Sequence, residues 1–173
     1  MSEPLPRVTL VGSLHDWLGA VSVRIAVFVD EQRVPFAVEL DHVDPLALHA
    51  VALVRGPGVS HAGARHGARD RVVGTARIFP DPPGQRRHYR FGRLAVLRPW
   101  RRRGLGDRLL TLLEDTARKR GGARVTLHAQ TYVESFYARH GYVTEAPRRE
   151  FFEDGIPHVR MTRLLTPGHT HGR

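Results

Sequence analysis

Residues 98–110 read RPWRRRGLGDRLL, and both fold and function turn on how this stretch is understood. It holds five arginines and two glycines and runs into a leucine-rich segment. One reading is a basic patch laid against a large polyanion. The other is a tight anion-binding turn for one small phosphorylated ligand. Glycine at a helix entrance lets backbone N–H groups approach an anion closely, and the helix dipole favours negative charge there. Flanking arginines then add charge-assisted hydrogen bonds. A nucleic-acid surface needs the arginines but not glycines at these positions.

The flanks place the stretch between a strand and a helix. HYRFGRLAVL (88–97) reads as a strand that Pro99 ends. From Gly104 onward, Leu105, Leu109, Leu110, Leu112, Leu113 and Ala117 form an apolar stripe at helical spacing. Arg118, Lys119 and Arg120 suit the helix C-terminus, and Gly121-Gly122 stops it. ARVTLHAQ (123–130) is the next strand, whose alternation sets Thr126, His128 and Gln130 on one face. Three polar residues on one face of a central strand suggest a wet pocket. Thr131 and Glu134 suggest a capping box for a short helix carrying Val133, Phe136, Tyr137 and His140, closed by Gly141. YVTEAP and IPHVRMTRLL read as the last two strands.

Towards the N-terminus, RVTLVG (7–12) suggests a first strand, and Ser13 with Asp16 a capping box. Leu14, Trp17, Leu18, Val21, Ile25 and Phe28 then predict a helix to about Val29. LALHAVALVR (46–55) and RVVGTARIF (71–79) read as antiparallel strands joined by a long mobile loop over 56–70. The expected fold is mixed α/β: a central sheet of about seven strands, antiparallel in its N-terminal half, with helices on both faces. One domain is expected over residues 1–165, followed by a disordered tail over 166–173.

Composition narrows the function. The 173 residues are 41% hydrophobic and contain no cysteine, which excludes disulfides, thiolate zinc sites and a cysteine nucleophile. No run of eighteen apolar residues suggests a membrane span, and MSEPLPRVTL does not read as a secretory signal, so a cytoplasmic protein is expected. The net charge is +10, with Lys119 the sole lysine. Such a balance fits nucleic acid, acidic lipid or an anionic small molecule, or simply an arginine-rich surface. No recognised nucleic-acid-binding motif is present, and Trp100 is the one aromatic residue within 98–110, which argues against nucleic acid. Histidines at 61, 66, 169 and 171 lack the further ligands that a metal site needs, and no metal is expected.

RRRGLG, with GRLAV before it and FYARHGY after it, resembles the GNAT superfamily of acyl-CoA-dependent N-acyltransferases. RIAVFVDEQRVP, ELDHVD, GTARI, GRLAV and EDGIPHVRM together are similar to its bacterial ElaA-like branch, over about Arg24 to Leu165. The resemblance implies that acetyl-CoA, or another short acyl-CoA, sits with its pyrophosphate on the backbone from Arg101 through Arg102, Arg103, Gly104 and Leu105 to Gly106. Arg103 and Arg108 could add phosphate contacts, and Arg102 stands where many members have glycine. The strand Leu94-Ala95-Val96 would pair with the pantetheine arm, splayed from its neighbour to form the acyl slot. The Val96 N–H would polarise the thioester carbonyl.

Tyr137 matches the tyrosine that protonates the departing thiolate in many members, although helix-to-sheet packing explains the residue as well. The acceptor implied is a primary amine, a small molecule or a peptide, attacking directly in a ternary complex. His128 is a candidate base for that amine, with a hydrogen-bonded structural histidine as the alternative. His49 is a weaker candidate, and water-mediated deprotonation without a dedicated base is a further alternative. His158 could lie at the edge of the acceptor site or simply anchor the turn. Arg24, Arg77 and Arg93 fall in apolar elements and are expected to pair with Glu31, Glu39, Asp41 and Asp44 in an ion-pair network. The same acids could instead recognise an amino group. Arg24, Phe28, Asp41 and Asp44 also resemble the front segment of acyl-homoserine lactone synthases, a minor alternative because no tryptophan follows the phenylalanine. A non-enzymatic acyl-CoA sensor and a basic nucleic-acid-binding module are further alternatives. The acceptor's identity and the oligomeric state stay open.

Overall fold

The computed structural model describes residues 5–55 and 70–165. The expected loop, apart from Asp70, and the expected tail lie outside the described residues, as do His61, His66, His169 and His171. The elements in order are β1 (Arg7–Leu10), α1 (Leu14–Arg24), a π-helical continuation (Ile25–Glu31), α2 (Phe36–Glu39), β2 (Leu48–Arg55), β3 (Asp70–Pro80) and β4 (His88–Val96). They continue as α3 (Leu105–Lys119), β5 (Arg124–Gln130), α4 (Glu134–Arg139), β6 (Val143–Thr144), β7 (Glu150–Glu153) and β8 (Ile156–Leu164). The fold is mixed α/β as expected, with eight strands ordered β1-β2-β3-β4-β5-β8-β6 and β7 also on β8. The strand the sequence reading lacks is β7, whose four residues EFFE show no two-residue alternation.

Two compact units emerge. The first comprises Met1–Asp41, Leu48–Arg77 and Arg93–Leu113. The second comprises His42–Ala47, Ile78–Gly92 and Glu114–Arg173.

In the first unit, β2 alternates between two cores. Val51 and Leu53 join Ala20, Val23, Val27, Val72 and Ala95 on one side. Ala52 and Val54 join Val73, Trp100 and Leu105 on the other. Helix α1 therefore serves one face of these strands and the start of α3 the other. Ser13 Oγ accepts from the Asp16 N–H at 3.1 Å, so the first expected cap forms.

The stripe expected on α1 does not. Leu14 and Leu18 are exposed, and Ala20, Val23, Arg24 and Val27 are buried instead. Close packing decides this. A Cβ added at Gly19 would meet Val72 Cγ2 at 2.3 Å, so the helix presents its small residues to β3 and turns the leucines outward. The change to π geometry at Ile25 then shifts the phase of every later residue.

In the second unit, β5 behaves as its alternation predicts except at Thr126. Val125, Leu127 and Ala129 are buried, and His128 and Gln130 remain partly open. Thr126, expected on the open face, is buried with its hydroxyl 3.1 Å from His88 Nε2. Strand β8 lies between β5 and the β6 and β7 segments, antiparallel to all three. Its Val159 and Met161 are buried. Glu114 is also buried, and its carboxylate accepts from the Tyr142 hydroxyl at 2.7 Å and from Arg163 at 2.6 Å. Burial, then the Glu114 charge, pushes the Tyr142 phenol far above its ordinary range.

Candidate active site

The turn before α3 takes the shape its glycines allow. Gly104 has φ +71°, and Arg102 has φ +58°, a left-handed conformation that ordinarily favours glycine. The Arg108 N–H bonds back to the Gly104 carbonyl at 3.2 Å. Leu105 and Gly106 therefore stand in the first helical turn, where N–H groups have no intrahelical acceptor. A Cβ at Gly104 would meet only Asp107 Oδ2, at 3.9 Å, so the space above the turn is open. The Leu105 side chain is buried and anchors the turn from below.

The arginines divide their work. Arg101 Nε donates to the Val96 carbonyl at 2.8 Å, and its Nη2 donates to Glu31 at 2.7 Å. Arg98 meets the same Glu31 carboxylate at 3.3 Å. Against a burial penalty, these two guanidiniums hold Glu31 below the usual carboxylate range. Arg103 lies over the Trp100 ring at 4.8 Å. Arg108 donates to the Pro6 carbonyl at 2.7 Å. Arg102 is exposed and makes no hydrogen bond or ion pair among the described residues.

Strand β4 leads into this turn. Arg93 has φ +53° inside the strand, which bends it ahead of Leu94, Ala95 and Val96. A Cβ at Gly74 would come within 3.3 Å of the Ala95 carbonyl, so glycine permits β3 to lie close beneath. The Leu97 N–H bonds to the Val73 carbonyl on β3 at 2.9 Å. Successive N–H groups point to opposite sides of a strand, so the Val96 N–H faces the other edge. The β4–β5 register covers only His88, Tyr89 and Arg90 against Arg124, Val125 and Thr126. Val96 lies six residues past the last of these β4 positions.

The buried arginines pair much as expected. Arg24 and Glu39, each 1% exposed, meet at 2.5 Å, and Arg24 also donates to the Glu39 carbonyl. Arg77 binds both Asp41 oxygens, at 2.7 and 2.6 Å. Arg93 reaches the Val38 carbonyl at 3.0 Å, Asp41 at 3.4 Å and Glu39 at 3.5 Å. Glu31 departs from the expectation, serving Arg98 and Arg101 in place of these three. Asp44 is buried in a short turn. His49 is buried against the edge of Trp17, with ring centroids 4.6 Å apart.

In the second unit, Tyr137 is 7% exposed on α4, packed edge-on against Phe91, Phe136 and Tyr142. Burial, with a smaller push from Tyr132, raises its phenol well above the ordinary value. The phenol therefore keeps its proton throughout the neutral range. Thr131 opens a short turn and does not cap α4, whose first turn follows Val133 without a side-chain cap. Glu134 instead accepts from Thr144 at 2.6 Å and from Arg148 at 3.1 Å. These hydrogen bonds lower its acidity range below that of a free carboxyl.

His128 meets a residue to which the sequence reading gave no role. Its Nδ1 lies 2.6 Å from Glu153 Oε1 on β7. The His128 hydrogen bond, opposed by burial, holds the Glu153 carboxyl below its usual range. His158 Nδ1 lies 2.8 Å from the Ile156 carbonyl, and its Nε2 is 4.0 Å from Glu153 Oε2. The EDGIPH string carried the only sequence signal for Glu153: a carboxylate beside an Asp-Gly turn.

The sequence matches the model of the "Acetyltransferase (GNAT) domain" over residues 61–165. It is 34% identical to the Bacillus subtilis protein YyaT over 164 residues, covering 94% of this chain and 96% of that one. A crystal structure from Lactobacillus plantarum, assigned to the N-acetyltransferases, shares 27% identity at a TM-score of 0.75. It covers 94% of this chain and all of its own. Escherichia coli ElaA has the same fold, at 23% identity and a TM-score of 0.71, over 92% of this chain and 99% of its own.

Proposed function

Because the chain belongs to the GNAT acetyltransferase family, we propose that it is an N-acetyltransferase that moves an acetyl or other short acyl group from acyl-CoA to a primary amine. The observation that carries this reading is the turn from Arg101 to Gly106. Left-handed Arg102 and Gly104 lead into the first turn of α3, with open space over Gly104. A diphosphate fits such a concavity, accepting from main-chain N–H groups at the positive end of a 15-residue helix. Arg101, Arg103 and Arg108 brace the turn through Glu31, Trp100 and Pro6, and Arg102 is the guanidinium available to phosphate oxygens.

When bound, acetyl-CoA supplies an activated thioester. The edge of Leu94–Val96 that faces away from β3 receives the pantetheine arm as an added strand. The Val96 N–H donates to the carbonyl oxygen as negative charge grows on it. His128 accepts a proton from the amine, which attacks directly in a ternary complex, and Tyr137 gives its proton to the leaving sulfur. The acceptor is a small-molecule or peptide amine. No helix among the described residues is long and apolar enough to cross a membrane. Thiol release from acetyl-CoA across a panel of polyamines, amino sugars, small metabolite amines and peptides tests the reading. Release with at least one amine is expected. Coenzyme binding without release from any of them would mark a sensor instead.

A further inference from the structure

Three elements of the second unit place one carboxylate behind His128. In the β5–β8 register Gln130 faces His158 and His128 faces Arg160, and in the β7–β8 register Phe151 faces His158. His128, His158, Phe151 and Glu153 therefore share one face of the sheet. Glu153 pairs with Ile156 across a two-residue turn in which Asp154 has φ +51° and Gly155 has φ +78°. Both positive angles mark the tight hairpin geometry that Asp-Gly favours, so the turn itself sets where the Glu153 side chain starts. Phe151 then wedges the site. Its ring stands edge-on to His128, centroids 4.9 Å apart, and lies nearly parallel to His158 at 6.1 Å.

We propose that Glu153 is the positioning residue for His128, holding the imidazole with its proton on Nδ1 so that Nε2 offers its lone pair to the acceptor amine. This inference rests on the acyl-transfer reading above. An ionised carboxylate only accepts hydrogen bonds, so the 2.6 Å contact requires His128 Nδ1 to be the donor. The neutral ring then carries its lone pair on Nε2. His158 does not compete for the same part. Its Nδ1 contacts a carbonyl oxygen, and at 4.0 Å its Nε2 is too far from Glu153 for a hydrogen bond. The His128 side chain is 24% exposed, which leaves it open to an acceptor, whereas His158 is 9% exposed.

The test reads the ring nitrogens of His128 by NMR in the full chain, at a pH where the ring is neutral, in wild type, Glu153→Ala and Glu153→Gln. Wild type should show a protonated Nδ1 and a bare Nε2. In Glu153→Ala the dominant tautomer should reverse, and in Glu153→Gln, where the amide offers either end, the two forms should mix. Turnover with any amine found by thiol release should fall about tenfold to a hundredfold in Glu153→Ala, with KM for acetyl-CoA unchanged and partial recovery in Glu153→Gln. An unchanged tautomer in either folded variant would overturn the inference. Full activity in His128→Gln would overturn the base role even if the wild-type tautomer proves to be set by Glu153.

Discussion

Two charged clusters in this protein differ in what they leave open. In the first unit, the Arg24, Arg77 and Arg93 guanidiniums are matched by Glu39 and Asp41, with Arg24 and Glu39 each 1% exposed. In the second unit, Glu153 takes one nitrogen of His128 on a partly open sheet face. Charges that satisfy each other inside the fold define a frame. A polar group held on one side and open on the other is arranged for a visitor. Under the proposed function, candidate site residues are thus better recognised by the valence they keep in reserve than by charge alone.

The largest effect expected from breaking this comparison is on the frame. Glu39→Gln strips the charge from a buried partner of Arg24, a loss of about 3–5 kcal/mol. Chemical denaturation should show the midpoint falling steeply. A change below 1 kcal/mol, within the range of exposed pairs, would mean that the cluster is not the frame described. Breaking the second unit's chemistry should spare stability and hit turnover. Tyr137→Phe removes only a hydroxyl and should lower kcat by about 10²-fold, with coenzyme affinity unchanged. Unchanged turnover would reduce Tyr137 to a packing residue.

Acid should act more gently, on Glu153 of the second cluster and on two carboxylates outside both clusters, Glu31 and Glu134. Glu31, Glu134 and Glu153 all have folded-state acidities below the ordinary 4.5. Lowered carboxyls contribute stability that is present above the unfolded value and is lost as pH falls through the folded one. Unfolding free energy should therefore decline from about pH 5 downward. Glu31→Gln should flatten part of that decline and Glu153→Gln another part. A decline of the same size in both variants as in wild type would contradict these assignments. The smallest effect is expected at Arg102. Replacement by glycine relieves its φ of +58° and should add about 1 kcal/mol at most.

Much of this was legible in the sequence because local patterns reported local physics. The α3 stripe placed Leu105, Leu109, Leu110, Leu113 and Ala117 in the core, where they lie. The alternation on β5 separated His128 and Gln130 from the buried Leu127 and Ala129. Arg24, Arg77 and Arg93 revealed themselves as charges inside apolar strings, and their partners were acids of the expected segment. The α1 stripe misled because backbone proximity at Gly19 outweighed side-chain size, and helical periodicity carries no record of a π turn. Glu153 stayed hidden for a related reason. Its role depends on β7 pairing with β8, a contact made through a hairpin whose first strand is only four residues long. The division among the arginines was equally invisible, since a run of like charges does not say which member is already engaged.

The account rests on the turn before α3, and a calorimetric titration with coenzyme A tests it without an acceptor. Wild type should bind saturably at one site, and Gly104→Val, which forces a β-branched residue to φ +71°, should bind at least about tenfold more weakly while remaining folded. Equal binding by the two proteins, or no heat from either, would contradict the assignment of this turn to the donor's diphosphate.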